Sequence, residues 1–117
     1  MNFWLQHVFG DVREWWKKLR RHRRFRGVTR LDSVADPGAA LRARKLVLVG
    51  PEEKPKWLRF LCPCRCGDVI ALNLMASSSP RWSVESYADG TLTIHPSVDA
   101  TKCRSHFWVR RSRIDWV

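Results

Sequence analysis

Hydrophobic and polar positions alternate in two ways along this chain. Over residues 2–20, Leu5, Val8, Phe9, Val12, Trp15, Trp16 and Leu19 recur at three- and four-residue steps, which predicts an amphipathic helix. Gly10 weakens it slightly, while acids toward its start and Lys17, Lys18, Arg20 and Arg21 toward its end suit the helix dipole. The basic run Lys17–Arg26 extends the helix toward Gly27 in this reading. Residues 27–44 read as a connector, with a turn signal at Asp36-Pro37-Gly38.

After residue 44 the period shortens to that of strands. Lys45–Val49 is a short apolar run stopped by Gly50-Pro51. In Lys56–Leu61, Trp57 and Arg59 alternate with Leu58 and Phe60. Residues 68–74 give a third strand. Arg81–Tyr87 and Thr91–His95 form a hairpin around Ala88-Asp89-Gly90, with Pro96 and Ser97 ending the second strand. Residues 98–104 read as a loop, and His106–Arg110 with Arg113–Val117 as a closing hairpin across Arg111-Ser112. The expected class is therefore α+β: an N-terminal amphipathic basic helix (1–30), a connector (31–44), and a small, mostly antiparallel β domain (45–117).

Charge sharpens the division. Residues 1–44 hold eleven Lys/Arg against four Asp/Glu, and residues 45–117 eleven against seven, within a net charge of +11. The basic helix reads as a helix packed on the domain, as a helix lying on a membrane surface, or as a nucleic-acid arm. No apolar stretch reaches the 18 residues a membrane-spanning helix needs. The N-terminus lacks the order of a secretory signal, and thiols without an export signal point to a reducing cytoplasm.

All four cysteines lie in two stretches, Cys62-Pro63-Cys64-Arg65-Cys66-Gly67 and Cys103-Arg104-Ser105-His106. Soft thiolates and an imidazole from two separate segments are the ligand supply of a zinc site, which here would pin the β domain. Cys62, Cys64, Cys66, Cys103 and His106 are five candidates for four positions. Cys64, Cys66, Cys103 and His106 are the preferred set, with Cys62 as the substitute. The close spacing of three cysteines disfavours disulfides between them.

These motifs carry a resemblance. Residues 45–117 resemble a family of small bacterial zinc-binding proteins, formerly a domain of unknown function. The shared features are C-x-C-x-C-G at Cys62–Gly67, a hairpin containing Trp82, the pair Pro96-Ser97, C-x-S-H-F-W at Cys103–Trp108, and Trp116 in a final strand. Genes of that family stand beside those for ubiquitin-like proteins and E1- and E2-like conjugating enzymes. The resemblance implies a zinc-dependent peptidase, or processing protein, acting on the C-terminus of a ubiquitin-like protein. The alternatives are a non-catalytic, zinc-stabilised protein-binding module in the same pathway, and a basic adaptor for nucleic acid or membrane.

A catalytic zinc keeps a position open for water and needs a base near it. There is no H-E-x-x-H and no zinc-deaminase signature. His95, Ser97 and Glu85 are the candidates for orienting water or steadying an intermediate, with Asp99 also near in sequence. Ser105 could attack or could cap a turn. A serine triad is disfavoured, because no Asp/Ser/His grouping stands apart from the metal motif.

Overall fold

The structure, a computed structural model, describes residues 15, 16, 18–32 and 37–117. It contains two four-stranded sheets. The first joins β1 (Gly27–Leu31), β2 (Lys45–Val49), β3 (Trp57–Leu61) and β4 (Val69–Asn73) in chain order. The second joins β5 (Ser83–Ser86), β6 (Leu92–Ala100), β7 (Ser105–Arg110) and β8 (Arg113–Trp116), also in chain order. Every pairing is antiparallel except β1 with β2, which is parallel with Gly27 opposite Lys45.

The class expected from the sequence is corrected by this architecture. Among the described residues the protein is almost all β, and a single 3-10 turn at Pro37–Ala40 is the one helical element besides a few residues near 15–20. Among the described residues no N-terminal amphipathic helix forms a packed element of the fold. Trp15, Trp16 and Leu19 are 57%, 54% and 55% exposed, so these positions of the apolar stripe cover no core. The rest of the segment, residues 1–14 and 17, lies outside the described residues.

The basic run does not continue as a helix either. Residues 21–26 are extended and lie beside β8. Ile114 N–H donates to Arg23 O at 2.8 Å, Phe25 N–H to Ser112 O at 2.8 Å, and the Trp116 indole to His22 O at 2.9 Å. At each end the segment also reaches the first sheet, through His22 N–H to Pro63 O and Arg26 N–H to Arg44 O. Residues 27–31, expected within the connector, are β1.

The core fills the space between the sheets. Leu46, Leu48, Leu58, Phe60 and Leu72 of one sheet meet Leu92, Ile94, Val98, Phe107, Val109 and Ile114 of the other, with Phe25 among them. An aromatic row Phe25–Phe60–Phe107–Trp116 runs through it, with ring centroids 5.2, 6.3 and 5.2 Å apart. The alternation in β3 places Leu58 and Phe60 inward, both fully buried.

β6 departs most from the sequence reading. It continues through Pro96 to Ala100 rather than stopping at His95. Its register against β7 jumps from Ile94↔Val109 to Val98↔Phe107. Three residues, His95, Pro96 and Ser97, therefore face the single Trp108. Such a bulge bends a strand and re-aims side chains, so a proline is tolerated there. The His95–Pro96 bond is cis.

Candidate functional site: a thiol cage beside a serine–histidine pair

The first half of the cage grows from the end of β3. Cys62 N–H donates to Asp68 O at 2.8 Å and Arg65 N–H to Cys62 O at 3.1 Å, closing a tight knuckle between β3 and β4. Arg65 and Gly67 take positive φ, 74° and 89°. At Gly67 a side chain would meet no neighbour, so the backbone angle is what calls for glycine. The second half is the turn between β6 and β7, where Cys103 lies beside Ser105 Oγ at 3.3 Å and Arg104 takes φ 55°.

The two halves bring the sulfurs of Cys62, Cys64, Cys66 and Cys103 within 4.8 Å of one another. Cys62 Sγ is 3.4 Å from Cys64 Sγ and 3.6 Å from Cys103 Sγ, and all four cysteines are free of disulfides. A tetrahedron with metal–sulfur bonds of about 2.3 Å has sulfur–sulfur edges of about 3.8 Å, so this donor set fits a thiophilic metal ion. The thiols are unequal. Burial pushes Cys62 well above the usual thiol range, with Cys64 and Cys103 as hydrogen-bonded neighbours adding to the rise. Burial also raises Cys66, to about 11. At Cys64 burial acts upward too, but hydrogen bonds from Ser105, Cys66 and Cys62 outweigh it and bring the thiol to about 7.

His106 is not in the cage. The group that could hold a metal therefore differs from the preferred set: it has Cys62 where that set had the histidine. On β7, Ser105, Phe107 and Val109 point inward and are buried, while His106 points outward and is exposed. That alternation carries the imidazole to the other face of the strand. There His106 Nε2 lies 2.8 Å from Ser97 Oγ. The bulge supplies Ser97, the straight part of β7 supplies His106, and the cross-strand partner of His106 on β6 is Asp99.

The other expected site residues fall elsewhere. His95 Nε2 is 3.9 Å from Glu85 Oε2, and Glu85 also accepts the Tyr87 hydroxyl at 3.0 Å. These two pair across β5 and β6, apart from Ser97 and His106. Ser105 is buried and hydrogen-bonded into the cage, so it serves the thiols rather than presenting a free hydroxyl. Beside the bulge, Trp82, Pro96, Trp108, His95, Arg81 and Ser83 line a shallow cleft of about 460 Å³. A separate cavity of about 640 Å³ is bordered by His106, by cage residues and by Lys18, Arg21, Arg65, Lys102 and Arg104.

The sequence reading held Ser97 and His106 separately and did not join them. The signal was present: two polar residues, each followed by an apolar core residue, Val98 and Phe107, on strands joined by a short turn.

Residues 33–117 match the family described as "Bacterial ubiquitination-like system serine protease (BubE)". No curated protein and no solved structure matches the chain.

Proposed function

Because this chain belongs to the BubE family, named for a protease of a bacterial ubiquitination-like system, we propose that it is a serine protease whose nucleophile is Ser97 and whose general base is His106. The observation that carries this is the 2.8 Å contact between Ser97 Oγ and His106 Nε2. With Nε2 unprotonated, the hydroxyl donates to it. That is the nucleophile–base geometry of acyl transfer, recognised by roles rather than by position in the chain.

In the proposed reaction Ser97 Oγ attacks the scissile carbonyl and His106 takes the hydroxyl proton. The tetrahedral intermediate collapses as His106 returns that proton to the leaving amine. Water then attacks the acyl-serine, giving up its proton to His106, and Ser97 is released with the new carboxylate. The bulge takes Ser97 out of the regular β7 ladder.

Four thiolates would hold a zinc ion in a closed tetrahedron, which leaves no position for a reacting water. The metal's contribution in this reading is to tie the β3–β4 knuckle to the β6–β7 turn that leads into His106. A reducing cytoplasm would keep those thiols available to it. The substrate is the extended C-terminal tail of a ubiquitin-like protein.

The test is incubation with the ubiquitin-like protein of the same system, fused to a C-terminal extension. Cleavage should vanish in Ser97→Ala, and a fluorophosphonate should label Ser97 in the wild-type chain. Cleavage that persists in Ser97→Ala, or that needs added zinc while no label reaches Ser97, would overturn the serine mechanism.

A further inference from the structure

The cavity of about 640 Å³ beside His106 is bordered by five cationic side chains, Lys18, Arg21, Arg65, Lys102 and Arg104, and among the described residues by no Asp or Glu side chain. Like charges gathered around one space repel each other unless something negative occupies it. The thiol cage accounts for part of this. Four thiolates around a divalent ion carry a double negative charge, and the carboxyl group of Val117, which also lines the space, adds at most one more, so the five cations exceed both.

The placement of the cations is also specific. Arg65 and Arg104 sit one on each half of the cage, both at positive φ, 74° and 55°. That conformation disfavours any residue with a Cβ, and glycine would occupy it more easily. Such outliers point to a use for the side chain. Arg21 is held by the face of Trp116, 4.4 Å from its centroid, and the Trp116 indole is in turn fixed to His22 O. A guanidinium fixed in place loses less freedom on meeting a carboxylate. His106 borders the same cavity, so whatever fills it lies next to the bond under attack.

We infer that this cavity takes acidic side chains of the polypeptide substrate, close to the bond that Ser97 attacks. The inference rests on the serine-protease reading for its orientation, but it has its own readout. Carboxylates are favoured over nucleic acid because the cavity adjoins His106 of the proposed pair, and among the described residues lining it Trp116 is the one Trp, Tyr or Phe, its face already covered by Arg21.

The test uses the full, metal-loaded chain and tail peptides of the ubiquitin-like protein. Asp or Glu is placed at successive positions on either side of the scissile bond, with Gln or Asn as the matched controls. Acidic peptides should show a KM about tenfold lower than their amide counterparts, with kcat unchanged, and the difference should shrink as salt rises. Lys102→Gln and Arg104→Asn should each erase most of that preference, whereas Lys54→Gln, an equal charge change on the β2–β3 turn, should leave it. Asn suits the left-handed position of Arg104. Metal content is measured on each variant, and if Arg104→Asn loses metal, Lys102→Gln decides.

Binding of the same peptides to the Ser97→Ala chain is measured in parallel. A salt-sensitive preference for acidic peptides in that chain supports the cavity assignment even if the wild type never cuts. Equal KM and equal binding for acidic and amide peptides would overturn it. So would a single-stranded oligonucleotide that binds more tightly than any peptide and is weakened by Lys102→Gln.

Discussion

The indole N–H of Trp82 donates to the backbone carbonyl of Ser97 at 3.2 Å. Trp82 is itself tied to β4, its N–H donating to Asn73 O at 2.8 Å. The buried side-chain amide of Asn73 holds the carbonyls of Met75, Ser78 and Pro80 and so shapes the loop that delivers the tryptophan. The proposed nucleophile is thus held by the second sheet through its strand and by the first sheet through one indole. Trp82→Phe keeps an aromatic ring against the core and removes that donor. It should lower kcat about tenfold and stability by about 1 kcal/mol, the range for one hydrogen bond. Steady-state kinetics and a thermal melt on the same preparation check both figures.

Ser97→Ala and His106→Gln should each reduce cleavage at least about a thousandfold, and the double variant should be little worse than either, since residues acting as one unit are not additive. Both side chains lie toward solvent, so the melting temperature should hardly move. A double variant showing the product of two separate losses would mean the pair does not act together.

Metal content separates the cage from the histidine. Cys62→Ser should lose the metal and lower or abolish the cooperative unfolding transition, because metal-binding energy is folding energy in a small domain. His106→Gln should keep one metal per chain. Elemental analysis of the purified variants reads this directly, and metal loss in His106→Gln with retention in Cys62→Ser would reverse the ligand assignment.

Phe25 is 3% exposed and packs edge-on against Phe60 at 5.2 Å. Phe25→Ala should cost about 3–5 kcal/mol, the range for emptying an aromatic core position. A chain beginning at Leu41 would lack both Phe25 and β1 and should fail to give a cooperative transition. One beginning at Arg21 should retain it. Denaturant unfolding of the three proteins tests the boundary.

Strands whose inward and outward residues differ sharply were legible in the sequence. Lys45–Val49 is observed as β2 with the expected ends, and Leu58 and Phe60 face the core as their alternation requires. β1 was not legible. Its side chains are nearly all half-buried, so no two-residue period stands out, and its partner β2 is distant in sequence and parallel. Phe25 was hidden because it is a single apolar residue amid six cationic or histidine neighbours, and a hydrophobic count sees only the charge.

The cage was legible in its cysteines because thiol spacing constrains metal geometry directly. His106 was misread because three-residue spacing from Cys103 suits a loop ligand, whereas the chain has already entered β7 by Ser105. Strand geometry then sends residue 106 away from its neighbours 105 and 107. Ser97 could be singled out but not paired, since its orientation depends on a bulge whose two extra residues no sequence period announces.

The proposed catalytic pair is only nine residues apart in the chain, within one hairpin formed by β6 and β7. Closing so short a loop takes on the order of 10–100 ns for a flexible chain, and hairpin formation about 1–10 μs. The thiol cage, by contrast, must bring Cys103 to a knuckle 41 positions earlier, counted to Cys62. During folding, then, the chemistry has a local origin and its anchoring a long-range one: Ser97 and His106 can meet as soon as the hairpin zips, and the later joining of the two sheets fixes a contact that topology has already made cheap to find.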